Sequence, residues 1–478
     1  MNPDMLKDSR ESLQRFRQRL YERLGARRDA SLNLLDSLCA NTQARSVVEL
    51  SLNPAFERDD TSLYAAIEAF TPLPSTRDES TLTGLSALVS EQLPAPSPAR
   101  PFWLLGVDTT PNPRPFAATL SDRGVVYQPN PAPGNKPIAV GHRDSVVAAL
   151  PERSRLDPPW VVPLQAQRVA SDTTATAVAA SQMAAVLADP AHPDGAVLSV
   201  QVADAHDSQA AYLHALSAFS NHVVIARSAG NRVDYRAPPA TVSACGHPTW
   251  YGEAFRLADP RDLGGPSQSA EWPDQTASGR AIRLTLERWS DLLMRGHRDS
   301  PMQDHPFDVV RCRVFDAQTG RALFKRPLWL IVMGQRRAEL TLEQIEQAYR
   351  QRFDLEHFFR FSKNHLLLDR FQTPDVTHEE HWWPLVCLAY VQLWLAAPLA
   401  IDLPRPWERS LTKPLADTRL SPARVQRDFA RLIRPIGTPA RAPKRRGISP
   451  GRVAGTRCER RARPPIVFKR QQRLTTTA

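Results

Sequence analysis

An α/β fold is what this chain of 478 residues predicts, and three observations carry the prediction. The first is Phe102-Trp103-Leu104-Leu105-Gly106-Val107-Asp108, an apolar run too short for a helix that follows a proline-rich stretch and reads as a buried strand closing on a carboxylate. The second is alternation: strand-like segments at 139–140, 160–163 and 196–203 surround an alanine-rich helical stretch at 173–188. The third is a long helix with a well-marked start. Thr341 serves as N-cap, Gln344 as its capping-box partner, and Glu343 and Glu346 sit at the positive end of the helix dipole.

Taken in order, residues 1–92 read as helical, with apolar positions at helical spacing. They suit a DNA-end-binding domain, or equally a packing or dimerisation element. Residues 93–101 form a stiff proline-rich linker. The α/β core begins at 102 and runs to 206. Residues 207–336 read as a mostly β insertion, with strands at 223–226, 282–286, 309–314 and 328–333. Residues 337–403 form the helical end of the core, and 404–478 a basic, proline-punctuated, partly disordered tail.

A hydrophobic fraction of 42% and a charged fraction of 23% belong to a soluble globular protein rather than a disordered or fibrous one. The net charge of +11 is uneven: from residue 405 onward 20 Lys or Arg face 4 Asp or Glu, so the rest of the chain is slightly acidic. A polyanionic partner is implied for the tail, where Lys444, Arg445 and Arg446 are the densest group. Five scattered cysteines without a C-x-x-C pair argue for a reducing compartment and against structural zinc. A charged N-terminus without an apolar run argues against secretion. Residues 382–401 contain no charge and are long enough to span a bilayer, but Pro384, Gln392 and Pro398, with no second span, favour a helix in a soluble core. The expectation is a cytoplasmic protein without a membrane partner.

Chemistry concentrates in Tyr349, Arg352, Glu356 and Lys363. On one continuous helix their offsets fall within a sector of roughly 60°, so a single face presents one carboxylate between two cations and a phenol. Such a face can hold a metal and grip a phosphodiester together; a solvated face of ordinary ion pairs is the plain alternative. Metal-holding carboxylates need rigid support, and Asp108 and Asp204 each close a strand-like run. Asp207 competes with Asp204 for the second position. Trp250, Trp272 and Trp289 in the insertion could stack on a base, though core packing is the commoner role.

The spacing Tyr-x2-Arg-x3-Glu-x6-Lys resembles the YREK signature of bacterial insertion-sequence transposases with a DDE catalytic triad. His206 departs from the pattern, standing where an aromatic Tyr or Phe is common. The resemblance implies a ribonuclease-H-like core in which Asp108, Asp204 and Glu356 are catalytic and hold two Mg2+ ions, with Mn2+ as a substitute. It implies DNA contacts from Tyr349, Arg352 and Lys363, double-stranded element ends and target DNA as partners, a homodimer on DNA, and a nucleoid location. Other classes predict other features. A non-enzymatic DNA-binding protein derived from such an enzyme has no need of an intact triad, and a sugar hydrolase built on paired carboxylates predicts an acidic or neutral cleft.

Overall fold

The computed structural model describes residues 3–70, 81–127, 137–155, 157–189, 197–239, 250–276, 279–403, 405, 407–408, 419–444, 453–455 and 460–468. Four helices open the chain: α1 (Pro3–Arg23), α2 (Arg28–Cys39), α3 (Asp60–Glu68) and α4 (Thr81–Ser90). Leu13, Phe16 and Leu20 make the buried stripe of α1, as their three- and four-residue spacing requires. The Asp59 carboxylate starts α3 by accepting from the Ser62 amide.

The sheet follows. Its first half comprises β1 (Phe102–Pro113), β2 (Gly124–Tyr127), β3 (Ile138–Ala149), β4 (Val162–Arg168), helix α5 (Ala175–Ala188), β5 (Leu198–Ala203), helix α6 (Ala210–Leu216) and β6 (His222–Ser228). After a small β7 (Val233–Tyr235) and β8 (Ala254–Arg256) pair and a short α7 (Pro260–Leu263), the chain forms β9 (Gln268–Gln275), β10 (Ala281–Leu292), β11 (Phe307–Asp316) and β12 (Leu328–Met333). Ten strands make one sheet in the order β2-β3-β1-β5-β6-β12-β11-β10-β9, with β4 also paired to β3. The β1–β5 and β5–β6 pairs are parallel; the other pairs are antiparallel. Of the strands between 207 and 336, β6 lies beside β5 at the centre, and β9–β12 extend the same sheet.

Helices α8 (Leu342–Gln351), α9 (Phe353–His365), α10 (Val376–Ala396) and α11 (Pro422–Ile436) complete the fold. The capping box at Thr341 and Gln344 is present as the sequence predicts. The single long helix expected after it is not: it breaks at Arg352. There the amide of Arg352 bonds to Tyr349 O and that of Leu355 to Arg352 O, both three-residue steps that tighten the turn.

Helix α10 is long and apolar enough to cross a membrane, and 78% of its most apolar window lies inside the fold. It is the common support for both ends of the chain. Arg17 on α1 pairs with Asp36 on α2 and donates to Gln392 on α10, all three buried. Helix α11 buries Val425, Phe429 and Leu432, and Gln426 donates to the carbonyls of Leu38 and His365. The region read as a basic tail thus contains a helix packed into the core.

Candidate active site

Strand β1 is the rail on which the site is built. Residues Phe102–Val107 are buried throughout, as a strand covered on both faces must be. The strand runs past Asp108 to Pro113 because its antiparallel partner β3 continues alongside, whereas pairing with β5 ends at Gly106 and Val202. Partner numbers along β1 and β5 differ by 96 at every step, and so do Asp108 and Asp204. Asp108, still on β1, and Asp204, just past the end of β5, each stand two residues beyond the last paired position, and the charge of Asp204 acts on Asp108.

Gly106 lets a helix come close. A Cβ there would stand 2.8 Å from Leu355 Cδ1 and 3.2 Å from Leu150 Cδ1, so α9 rests directly on the strand. Its first turn is clamped by a two-point ion pair: Arg153 Nε and Nη2 donate to the Asp354 carboxylate at 2.8 and 2.7 Å. Gln351 donates to Pro151 O at 2.7 Å. With the helix fixed so, Arg352 spans two acids, its Nη1 lying 3.2 Å from Asp108 Oδ2 and its Nη2 3.0 Å from Glu356 Oε1.

The electrostatics follow from this geometry. Burial pushes the Asp108 carboxyl up to about 6; Arg352 and the Thr109 amide oppose the rise, and the charges of Asp204 and Glu356 reinforce it. Asp207, buried in the turn after Asp204, is pushed up to about 7 by burial and then by Asp108 and Asp204. Asp204 thus acts on Asp108, and Asp108 in turn acts on Asp207. The difference lies in exposure: Asp204 is half-buried with no side-chain cap bond, and Asp207 is buried. The Glu356 side chain is 47% exposed, so the site opens to solvent.

Tyr349 lies beside Arg352 and within electrostatic reach of Asp204 and Arg227; burial comes first among the causes that raise its phenol. Of the four signature residues, Tyr349, Arg352 and Glu356 gather at the carboxylates. Lys363 goes elsewhere, donating to Thr110 Oγ1 at 2.7 Å and Pro111 O at 2.6 Å. Lys444 is exposed, and Arg445 and Arg446 fall outside the described residues. Trp289 is buried against Phe255 and Trp329 and is core; Trp250 is exposed and Trp272 half-buried. Sequence reasoning missed Arg227. A lone exposed cation near the end of the otherwise buried β6 was its only signal.

Carboxylates are hard oxygen donors that suit a divalent cation of the magnesium type, so the chemistry of Asp108, Asp204 and Glu356 fits such an ion. Among the described residues no three His, Cys, Asp or Glu side chains form a ready-made cage. The positive charge between Asp108 and Glu356 is that of Arg352.

A large mixed sheet with parallel central strands and helices packed on it is consistent with a nuclease of the DDE or ribonuclease-H-like kind. The family model described as DDE superfamily endonuclease matches residues 19–291, more than half of the chain, and the chain belongs to that family. The family implies DNA as substrate and divalent metal as cofactor. The matched span includes Asp108 and Asp204 and ends before Glu356. No curated protein matches the chain.

Proposed function

We propose that this endonuclease-family chain is a transposase that cuts the ends of a bacterial insertion sequence and joins them to target DNA, with Asp108, Asp204 and Glu356 as its metal-holding carboxylates. The observation that carries the reading is that Asp204, at the end of β5, acts on Asp108 of the neighbouring parallel strand β1, with Glu356 linked to Asp108 through Arg352. Divalent ions of the Mg2+ type, when bound, would supply an activated water or 3′-hydroxyl and charge stabilisation for the leaving oxygen. The chain's own residues do the rest. Asp108 is held rigid by β1, Glu356 by the clamped first turn of α9, and Tyr349 and Arg352 line the approach for a phosphate. Exposed cations such as Lys444, and the basic residues of 445–478 beyond it, suit the duplex flanks. Action as a dimer on two element ends, in the cytoplasm at the nucleoid, belongs to the same reading.

The test is cleavage of a labelled duplex carrying the inverted repeats that flank the gene, with Mg2+, beside a gel-shift on the same DNA. Asp108→Asn, Asp204→Asn and Glu356→Gln should each reduce cleavage to background and leave binding intact or tighter, because repulsion of phosphate is relieved. Asp207→Asn should keep most activity. Wild-type cutting by a triad variant removes that residue from the mechanism. Loss of binding in step with cutting makes the residue structural.

A further inference from the structure

Arginines in this fold are held in two distinct ways. Arg153 grips the single carboxylate of Asp354 with two nitrogens, one on each oxygen, and the buried Arg17 does the same to Asp36 through Nη1 and Nη2. These are the two-point forks that give a guanidinium its strongest hold. Arg352, 6% exposed, divides itself instead, giving one nitrogen to Asp108 and one to Glu356. Its buried Nε has no hydrogen-bond partner. Four acids crowd the space it enters, since Asp204 acts on both Asp108 and Arg352, and Asp207 feels Asp108 and Asp204. A cation is needed there, yet this one is bound below its capacity.

Arg352 also has somewhere to go. It stands at the break between α8 and α9, and its guanidinium lies 4.9 Å from the ring centre of Phe353, a side chain on the exposed rim. A doubly charged ion and a guanidinium cannot occupy the same gap between two carboxylates without strong repulsion.

We propose that Arg352 is the resident counter-ion of the carboxylate site, which an arriving divalent cation displaces and which then takes a phosphate of the bound DNA. The inference rests on the metal-holding reading of Asp108 and Glu356. It adds that metal and DNA bind with positive coupling through one side chain: each ligand removes a competitor of the other, and linkage makes the effect reciprocal.

The experiment is calorimetric titration of the full chain with Mn2+, without DNA and again with a short duplex of arbitrary sequence. R352Q keeps much of the bulk and loses the charge. Without DNA it should bind Mn2+ about tenfold tighter than the wild type, since the arginine's charge-assisted hydrogen bonds to Asp108 and Glu356 need no longer be broken. R352K should fall between the two and reads the effect if R352Q melts early by circular dichroism. Duplex DNA should tighten Mn2+ binding more in the wild type than in R352Q. Unchanged or weaker Mn2+ binding by both arginine variants overturns the inference, as does equal tightening by DNA. D108N separates this failure from failure of the underlying reading. If D108N abolishes Mn2+ binding while the arginine variants leave it unchanged, only the counter-ion role falls. If D108N binds like the wild type, the carboxylates hold no metal and both fall.

Discussion

Two clusters of charge lie along the same face of β1, and they are built on opposite terms. At one end Asp108 meets Arg352, with Glu356 half in solvent; toward the other end Asn112 meets Glu379. Glu379 is 1% exposed and fully matched. It accepts from Asn112 Nδ2 at 3.0 Å, pairs with His142 Nδ1 at 2.6 Å, and lies 3.1 Å from Arg114 Nε. Burial works against its ionisation, and His142 and Arg114 outweigh it, holding the carboxyl below its usual range. Thr110 and Lys363 stand between the two clusters. The comparison teaches how to tell a charge that supports the fold from one that serves the site: the first is buried and meets its counter-charges inside the fold, the second shares one cation among several acids and faces outward.

The same substitution applied to both clusters should break or sharpen this distinction. Glu379→Gln leaves Arg114 and His142 buried without their counter-charge, and should cost about 3–5 kcal/mol in denaturant unfolding. Glu356→Gln, in solvent and paired once, should cost about 1 kcal/mol or less. Similar losses would mean that the two carboxylates do equivalent structural work.

A smaller effect is expected at Asp144, which is fully buried beside Glu379 and Trp383. Burial and then the charge of Glu379 push it up to about 7, against the pull of Arg114, the Trp383 indole and His142. A carboxyl raised on folding keeps its proton more tightly in the native state. Native stability is therefore undiminished below the unfolded value near 4 and declines as pH rises toward 7. Asp144→Asn should remove that decline, gaining on the order of 2 kcal/mol at pH 8 and little at pH 4. Parallel melting curves against pH for the two proteins would contradict the assignment.

Least of the three is Lys363. As a strut from α9 to β1, its replacement in Lys363→Met gives up two hydrogen bonds, for a loss of about 1–2 kcal/mol, and should leave the salt dependence of DNA binding unchanged. If Lys363 instead reaches a phosphate, the log–log slope falls by roughly 0.9. That result would move Lys363 from the support of the site to its surface.

How much of this was legible without coordinates depends on where the partners lie. The capping box at Thr341, the buried run from Phe102 and the helix at 175–188 were readable, because caps and periodicities bond within a few residues. Asp108, Asp204 and the Tyr349–Arg352–Glu356 group were readable as strand-borne and helix-borne acids with cations beside them. One inference extended a local rule too far. The uninterrupted helix gave way at Arg352 to three-residue steps, and the contacts of Lys363 with Thr110 and Pro111 were not readable from spacing.

By itself the sequence determined the α/β class, the signature spacing and the residue types able to hold metal and phosphate, since each depends on chain-local geometry. Only the tertiary structure decided that Asp204 comes within electrostatic reach of Asp108, that Arg352 stands between Asp108 and Glu356, that Glu379 and Asp144 form a hidden charged layer, and that α11 packs inside. Those facts depend on pairings between segments far apart in the chain, such as β1 with α9 and α2 with α11. Such pairings are set by which buried surfaces fit and which charges find partners, and neither is written in any single stretch of residues.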